Sequence, residues 1–454
     1  MPAKTTLRSC KARAASRSSL SLECLESRLA LFAPIGNVTA QLVGSTLLLT
    51  GDALDNALVV STATGGRMAV LGGVGTTING SATPFVTSRA VTSIVANLNA
   101  GNDVVGFTNN AEAFAKQLTA LGITPPFDTG ALQTTIDALS GGATTFALPG
   151  GLAVTTAAGN DFVGLIGNVG GSVAVNLGSS VADSAGNVLY IGEWDTTTAA
   201  YRIGGALSIA GGDQRDVLIM RGTDVGGGVA AALGNGSNFF TIVGLGSTIG
   251  SMAYTGGTGA DGVNLVYNLA VRSAVSILTG PRGADVAYLG GVTVGGNVVI
   301  NTGLGDDGDY VTFEESSARG GVSVATGRGM DTVEVGDVTV GLGLAVSTGD
   351  GNDSLFIVWL ILGNPGDPFT AGLNTVIDAG AGNDQVAITR LQTPGNVFVY
   401  LGPGNDALTM VDVSAFAAFL YGGTGTNSLG TNAATRSGIR VLKYYQFQTV
   451  ADVV

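Results

Sequence analysis

A short glycine motif recurs along this chain and constrains its fold more than any other feature. Three copies begin at Gly349, Gly380 and Gly402, and read Gly-Asp-Gly-Asn-Asp, Gly-Ala-Gly-Asn-Asp and Gly-Pro-Gly-Asn-Asp. Glycine allows positive φ in tight turns, and the alternating apolar residues after each motif have the period of a half-buried strand. One such unit cannot bury its apolar face alone, whereas a stack of units can.

The repeat has a period of about 22 residues. The last polar residue of each turn recurs at intervals of 21 to 31 residues, of which 22 is the commonest. Each interval holds three short apolar segments, which after Asp331 are Thr332–Val335, Val338–Val340 and Leu344–Thr348. We therefore predict an all-β fold, a parallel β-helix or β-solenoid with about three short strands per coil. The turn residues are Asp161, Asn187, Asp216, Asn238, Asp261, Asp285, Asp309, Asp331, Asp353, Asp384, Asp406 and Asn427.

The pattern divides the chain into five parts. Residues 1–33 are a basic segment, 34–107 hold the first β coils, 108–150 a small helical insertion, 151–430 the repeat solenoid, and 431–454 a last strand and cap. The insertion is predicted because Phe114, Leu118 and Leu121 have helical spacing after a cap-like Asn110. We expect it to pack beside the β body.

Composition and charge exclude several functions. The chain has no histidine, which removes Ser-His-Asp and Cys-His catalysis and the usual zinc sites. Six basic and two acidic residues give residues 1–33 a charge of +4, so the rest of the chain, within a total of −13, carries −17. An acidic body argues against nucleic acid as a partner. No apolar run approaches the ~20 residues of a membrane-spanning helix, so no membrane span is expected.

The basic segment contains the run Leu25-Glu-Ser-Arg-Leu-Ala-Leu31. It resembles the Leu-Glu-Pro-Arg-x-Leu-Leu segment at the N-terminus of many large bacterial surface and secreted proteins, where that segment is taken to be an export or sorting signal. Ser27 stands in place of the proline, and Ala30 in place of one leucine. The resemblance implies an extracellular or cell-surface location. The alternative is a disordered basic tail.

The Gly-x-Gly-x-Asp-x-apolar unit resembles the nonapeptide of the RTX (haemolysin-type) proteins, whose turns bind calcium between coils of a parallel β-roll. The resemblance implies Ca²⁺ as a cofactor held at the turns. The repeat of this chain departs from the RTX repeat in spacing, because the RTX unit recurs every nine residues and the turn of this chain recurs about every 22 residues. The implied calcium ligands are Asp285, Asp307, Asp309, Asp331, Asp353, Asp384 and Asp406.

Stacked turn carboxylates also give a physical reason for calcium. A column of carboxylates facing outward, one coil apart, repels itself, and Ca²⁺ prefers such hard oxygen ligands. The alternative is a turn without metal, because Asp and Asn close turns by accepting backbone N–H groups. Neighbouring asparagines would then form hydrogen-bonded side-chain ladders. These residues are Asn102, Asn160, Asn352, Asn383 and Asn405.

The leading functional hypothesis is a non-catalytic, exported bacterial surface or secreted β-solenoid with a structural or adhesive role. Its partners would be cell-surface or extracellular matrix components, and no catalytic residue is predicted. The alternative is a polysaccharide-active β-helix enzyme, a lyase or hydrolase. Charged clusters on one solvent-facing strand column would favour the enzyme, and small uncharged faces the first hypothesis. The enzyme candidates are Glu193, Trp194, Asp195, Arg221, Arg272, Glu314, Glu315, Arg319, Trp359 and Arg390.

Overall fold

The computed structural model describes residues 36–179, 186–363 and 373–453. The basic segment 1–33 and its predicted export motif lie outside these residues. The described chain is 52% strand and 8% helix, and its parallel sheets form a β-solenoid of about 13 turns. The predicted all-β parallel solenoid is therefore confirmed.

The strands and helices follow one another with short connections. The N-terminal strands are β1 Asn37–Val43, β2 Thr46–Thr50, β3 Ala57–Ala63, β4 Arg67–Gly72, β5 Thr77–Ile78, β6 Phe85–Val86, β7 Ser93–Asn97, β8 Val104–Thr108, β9 Phe146–Leu148, β10 Leu152–Thr155, β11 Phe162–Val169, β12 Val173–Asn176 and β13 Asn187–Ile191. The central strands are β14 Tyr201–Ile203, β15 Leu207–Ala210, β16 Asp216–Arg221, β17 Thr223–Val225, β18 Val229–Gly234, β19 Phe239–Val243, β20 Thr248–Ile249, β21 Met252–Gly256, β22 Gly262–Val271, β23 Val275–Leu278, β24 Val286–Val294, β25 Val298–Asn301 and β26 Tyr310–Glu314. The C-terminal strands are β27 Ser317–Ala318, β28 Val322–Ala325, β29 Thr332–Val340, β30 Leu344–Ser347, β31 Ser354–Leu362, β32 Thr375–Asp378, β33 Gln385–Gln392, β34 Asn396–Tyr400, β35 Ala407–Val411, β36 Ala415–Tyr421, β37 Ser428–Thr431, β38 Ile439–Tyr445 and β39 Thr449–Asp452. The helices are α1 Ala111–Ala120, α2 Thr129–Ser140 and α3 Ala433–Gly438.

Each coil has three faces. In the coil that starts at Asp309, β26 forms face 1, β27 forms face 2 and β28 forms face 3. The strands of faces 1 and 2 belong to one sheet, and those of face 3 to a second sheet of 17 strands. In the next coil, faces 1 and 2 are one longer strand, β29, bent at a corner. This arrangement agrees with the three apolar segments predicted for each repeat.

The corner between faces 1 and 2 has left-handed backbone. Residues other than glycine occupy it in several coils, although the left-handed conformation costs an L-residue roughly 1–2 kcal/mol. Their side chains face solvent, and those of Tyr267 and Trp359 are 63% and 51% exposed. The sequence indicated this corner where Asn or Asp occupies it, as at Asp337, but not where a bulky residue such as Trp359 does, because bulky side chains are not turn signals. With φ between 49° and 60°, these residues are Tyr267, Asn268, Glu315, Asp337, Trp359, Arg390 and Asp412.

Parallel register stacks equivalent apolar side chains inside the solenoid. Val311 of β26 pairs with Val333 of β29, which pairs with Leu355 of β31, and all three are buried. Each coil therefore covers the apolar interior of its neighbour, and stability comes close to a sum of nearest-neighbour terms.

The N-terminal coils are closed by antiparallel hairpins and covered by helices. Strand β1 pairs antiparallel with β2, and β3 with β4. Helices α1 and α2 pack on face 1 of these coils, where Phe114 and Ile136 join a cluster with Phe162 and Tyr190. None of the helices in the described ranges is long and apolar enough to cross a membrane.

Candidate functional site

Turn residues of successive coils form one hydrogen-bonded column, which we call the turn ladder. The backbone N–H of each member donates to a side-chain oxygen of the next coil's member, as Asp309 N does to Asp331 Oδ1 at 2.8 Å. These N···O distances range from 2.6 to 3.1 Å. At one step side chains make the link, because Asn187 Nδ2 donates to Asp216 Oδ1 at 3.0 Å. The members are Asn56, Asp103, Asp161, Asn187, Asp216, Asn238, Asp261, Asp285, Asp309, Asp331, Asp353, Asp384, Asp406, Asn427 and Gln448.

The ladder aspartates point into the solenoid, so the predicted outward orientation of the turn carboxylates is wrong. Asp285, Asp309 and Asp353 are at most 4% exposed. The physical reason is that a backbone N–H buried at a turn, where strand pairing stops, still needs an acceptor. The carboxylate one coil away supplies it. The alternation of β31 carries this information, since Asp353 has the same parity as the inward Leu355 and Ile357.

The second carboxylate oxygen finds a partner in three coils, and in one of them Asp216 Oδ2 accepts Gly212 N at 3.0 Å. Thr279 and Thr302 donate to Oδ2 of Asp285 and Asp309, each at 2.5 Å. A threonine hydroxyl has one hydrogen, and in another coil Thr326 donates it to a backbone carbonyl instead. In the described chain, the ladder Oδ2 atoms that are buried without a hydrogen-bond partner belong to Asp103, Asp161, Asp261, Asp331, Asp353, Asp384 and Asp406.

Burial raises the pKa of the ladder carboxyls, because removal from water disfavours the charged form. For Asp103, burial and then the charge of Asp161 raise the pKa from 3.8 to about 8. Hydrogen bonds from backbone N–H groups oppose the shift without cancelling it. Burial raises the pKa of Asp331 and Asp406 as well. The pKa is about 7 for Asp161, Asp261, Asp285, Asp309 and Asp384, and about 6 for Asp216 and Asp353.

Asparagines form shorter columns beside the turn ladder. Asn383 N donates to Asn352 Oδ1 at 2.7 Å, and Asn405 N donates to Asn383 Oδ1 at 2.8 Å. Nearer the N-terminus, Asn160 N donates to Asn102 Oδ1 at 2.9 Å. The predicted asparagine ladders are therefore present. Their bonds run toward the N-terminal coils, opposite to those of the turn ladder.

Six of the seven predicted calcium ligands lie in the turn ladder, and Asp307 does not. Asp307 is exposed on the turn, where its Oδ2 accepts Gly283 N at 3.2 Å. Calcium takes 6–8 oxygen ligands, and within the described ranges no three His, Cys, Asp or Glu side chains gather in a way that could hold a metal. The ladder carboxylates alone do not fit a calcium shell, and backbone carbonyls and water would have to supply most of it. The calcium site stays a prediction.

The enzyme candidates at residues 193–195 lie beside helix α1. Asp195 Oδ2 is 2.9 Å from Lys116 Nζ. The ring of Trp194 packs on that of Tyr190, with centroids 5.9 Å apart. These contacts join the helical insertion to the solenoid.

The other two carboxylate candidates are not brought together as a pair. Glu314 lies on face 1, whereas Glu315 is the left-handed corner residue, with a φ of 49°. Glu334 of the next coil lies instead on the same outer face as Glu314. The alternation along β29 indicates this outward orientation, because Glu334 lies between Val333 and Val335, which point inward.

Both ends of the turn ladder were absent from the sequence prediction. Asn56 N donates to Asp103 Oδ1 at 2.8 Å, and Asn427 N donates to Gln448 Oε1 at 2.6 Å. Gln448 follows Asn427 by 21 residues, which is the spacing of one coil. The period could therefore have identified it.

No protein-family model, curated protein or solved structure matches this chain. The resemblances to RTX repeats and to the export motif rest on the quoted residues alone.

Proposed function

We propose that this chain is a non-catalytic, exported bacterial solenoid with a structural or adhesive role at the cell surface or outside the cell. The observation that carries the proposal is the turn ladder, which links successive coils from Asn56 to Gln448. With layers about 4.8 Å apart, the coils make a rod roughly 60 Å long. A rod tied together internally at every turn suits a spacer or a display surface.

The outer surface of face 3 supports the non-catalytic part of the proposal. One column of its aligned outward positions carries small uncharged side chains over many coils, and then becomes aromatic where Phe398 and Phe419 stack with centroids 5.3 Å apart. The buried centres of protein interfaces are likewise poor in charge. Such a surface suits docking better than acid–base chemistry. The small residues are Ala174, Ser208, Ala230, Ala253, Ser276, Val299, Ser323 and Ala345.

The export part is tested in bacterial cells that produce the full-length chain. Replacing Leu25, Arg28 and Leu31 with alanine is expected to retain the chain inside the cell, because these residues carry the resemblance to the export signal. Protease access on intact cells and immunoblots of the medium measure delivery. Alanine at Ser18 and Ser19, in the same segment, is the matched control and should be delivered normally. Unchanged delivery of the triple variant would contradict the export proposal.

Calcium is the cofactor that we propose for the turns. The seven unpartnered Oδ2 atoms would offer a hard cation one carboxylate oxygen in each of seven coils. At pH 7.5, 10 mM calcium is expected to raise the melting midpoint over that in chelator, because one site with a Kd of about 10⁻³–10⁻⁴ M adds roughly 1.4–2.7 kcal/mol to the free energy of unfolding. Magnesium, which demands near-octahedral geometry, is the control. Equal midpoints and no heat of binding would overturn this part and leave the export part standing.

Hydrolysis of a polysaccharide is a second candidate, favoured by Glu314 and Glu334 on the same outer face of neighbouring coils. Paired carboxylates about 5–9.5 Å apart can act as acid and as base or nucleophile. The full-length chain is assayed for new reducing ends on neutral and acidic polysaccharides, with Glu314→Gln as the matched variant. Activity that the variant abolishes would replace the non-catalytic proposal.

A further inference from the structure

Two tyrosine–glutamate pairs cross face 1 side by side. The Tyr288 hydroxyl donates to Glu314 Oε1 at 2.5 Å, and the Tyr310 hydroxyl donates to Glu334 Oε2 at 2.8 Å. Each glutamate lies on the next coil, two positions further along the strand, because Thr312 is opposite both Tyr288 and Glu334. The two rings therefore run diagonally in the same direction, with Thr312 between them.

Thr312 lies between these rings, with the Tyr310 hydroxyl beside it, and its Oγ1 makes no hydrogen bond of normal length. Its neighbours Val311 and Phe313 point inward, so Thr312 points out onto face 1, yet it is only 3% exposed. Its Oγ1 is buried and unpartnered, as is Oδ1 of Asn264, two coils earlier in the same column. Leaving a buried polar group unpaired is unfavourable. A ligand group that reached Thr312 between the rings would therefore gain a hydrogen bond.

Two glycines shape the space around Glu314. Gly290 and Gly336 are opposite Glu314 on the coils before and after it. A Cβ at Gly290 would come within 2.7 Å of the Tyr288 hydroxyl oxygen, so the missing side chain lets that ring reach Glu314. A Cβ at Gly336 would meet only Val358 O, at 3.7 Å, so the surface is open there. We call this space, with its tyrosines, Thr312 and glutamates, the face 1 notch.

Charge and aromatic rings suit the face 1 notch to a cation. The exposed corner residues Glu315 and Asp337 add two carboxylates to those of the notch. Strands β22, β24, β26, β29 and β31 contain no lysine or arginine. Further along the same corner, the Arg390 guanidinium lies 5.1 Å from the centre of the Trp359 ring. That cation–π contact demonstrates the chemistry that this edge offers to arginine.

We propose that the face 1 notch binds arginine or lysine side chains of a basic segment of another protein. The two glutamates hold the cation, the tyrosine rings flank its apolar stem, and Thr312 Oγ1 accepts an N–H. The inference deepens the adhesive part of the proposed function and rests on it, but requires neither export nor calcium. A neutral glycan would stack on the tyrosines but would not interact with the four carboxylates, which are those of Glu314, Glu315, Glu334 and Asp337.

Calorimetry on the full-length chain tests the inference, with a peptide of alternating arginine and glycine and the same peptide with citrulline in place of arginine. We expect only the arginine peptide to bind. The double variant Glu314→Gln/Glu334→Gln should weaken binding at least about tenfold, because it removes the charges that face the cation. The control Asp306→Asn/Asp307→Asn removes the same charge from an exposed turn and should change the affinity less than about twofold.

Gly336→Leu is a second variant, which fills the open space without changing charge and should weaken binding as strongly. Melting midpoints show whether each variant is folded. The inference is overturned if the arginine peptide does not bind at millimolar concentration, or binds the two notch variants as well as it binds the unchanged chain. A neutral oligosaccharide of glucose that binds at the notch while the peptide does not would also overturn it. None of these results alters the export measurement, so failure of the peptide-binding inference can be distinguished from failure of the export proposal.

Discussion

Replacing Gly382 with alanine is expected to destabilise the solenoid by at least about 3 kcal/mol. Gly382 has a φ of 147°, and a Cβ there would collide with the backbone oxygen of Gly351. The same overlap recurs between Gly351 and Gly329 O, and between Gly404 and Gly382 O. Neither backbone can therefore move away without pressing on the next coil.

Urea unfolding of the full-length chain, followed by circular dichroism, measures this effect. Repeat arrays need not unfold in one step, so hydrogen exchange in β31 and β33 supplies the local stability. Gly336→Ala is the matched control, because a Cβ there has open space, and it should change stability by less than about 0.5 kcal/mol. Equal unfolding midpoints for the two variants would contradict the close approach of coils at the turns.

This close approach explains why the motif needs two glycines. The first glycine of each motif, like the second, has no space for a side chain. A Cβ at Gly380 would collide with Gly349 O, and one at Gly402 with Gly380 O. The two glycines lie four and two residues before the ladder aspartate, where successive coils come nearest. Coil spacing therefore imposes the motif with or without a metal.

The coil itself could be predicted because its signals are local. Apolar residues alternate within each strand, glycine marks each turn, and the period repeats often enough to separate three strands per coil. Asp331 and the strands after it illustrate this, since the segments predicted at 332–335 and 338–340 form the two arms of β29. The bend between them falls at Gly336 and the left-handed Asp337, the pair of residues that separates the two predicted segments.

The orientation of the ladder aspartates was harder to predict, because a charged side chain at a turn is normally solvated. The deciding fact is the unpaired N–H of the neighbouring coil, which no single repeat reveals. The alternation of inward and outward residues along each strand does indicate that the aspartates point inward. Asp309 alternates in step with the inward Val311 and Phe313, as Asp384 does with Val386 and Ile388.

The face 1 notch was invisible in the sequence because its residues come from different coils. Tyr288, Thr312 and Glu334 each lie three residues after a ladder aspartate. Once the ladder sets the register, the three must share one column, and Glu314 must lie opposite Gly336. The missing information was therefore the register between coils of unequal length.

The second large effect is on pH dependence: in calcium-free buffer the solenoid should be more stable at pH 5 than at pH 8. The ladder carboxyls have folded pKa values of about 6 to 8, as for Asp353 and Asp103, against an ordinary value of 3.8. Their contribution is fully present below the unfolded pKa and is lost as pH rises through the folded pKa. Each carboxyl that loses its proton in this window contributes about 1.4 kcal/mol per pH unit.

Asp384→Asn separates this proton linkage from the hydrogen bond. Asparagine keeps an Oδ1 acceptor for Asp353 N and removes the charge. Asn238 shows that the ladder accepts an amide, because its Nδ2 donates to Gly234 O at 3.0 Å and to Gly236 O at 3.2 Å. We expect this variant to be more stable than the unchanged chain at pH 8 and the difference to shrink toward pH 5, so its slope should be shallower.

Asp384→Ala removes the acceptor together with the charge. It leaves Asp353 N–H buried and unpaired, which costs about 1–3 kcal/mol at every pH, so its curve should be displaced downward compared with that of Asp384→Asn. Melting midpoints of the three proteins between pH 5 and pH 8 make the comparison. A hydrated carboxylate has finished titrating by pH 5 and produces no slope in this range. A midpoint of the unchanged chain that rises from pH 5 to pH 8, or an asparagine variant that keeps the full slope, would therefore show that the ladder carboxylates are not buried.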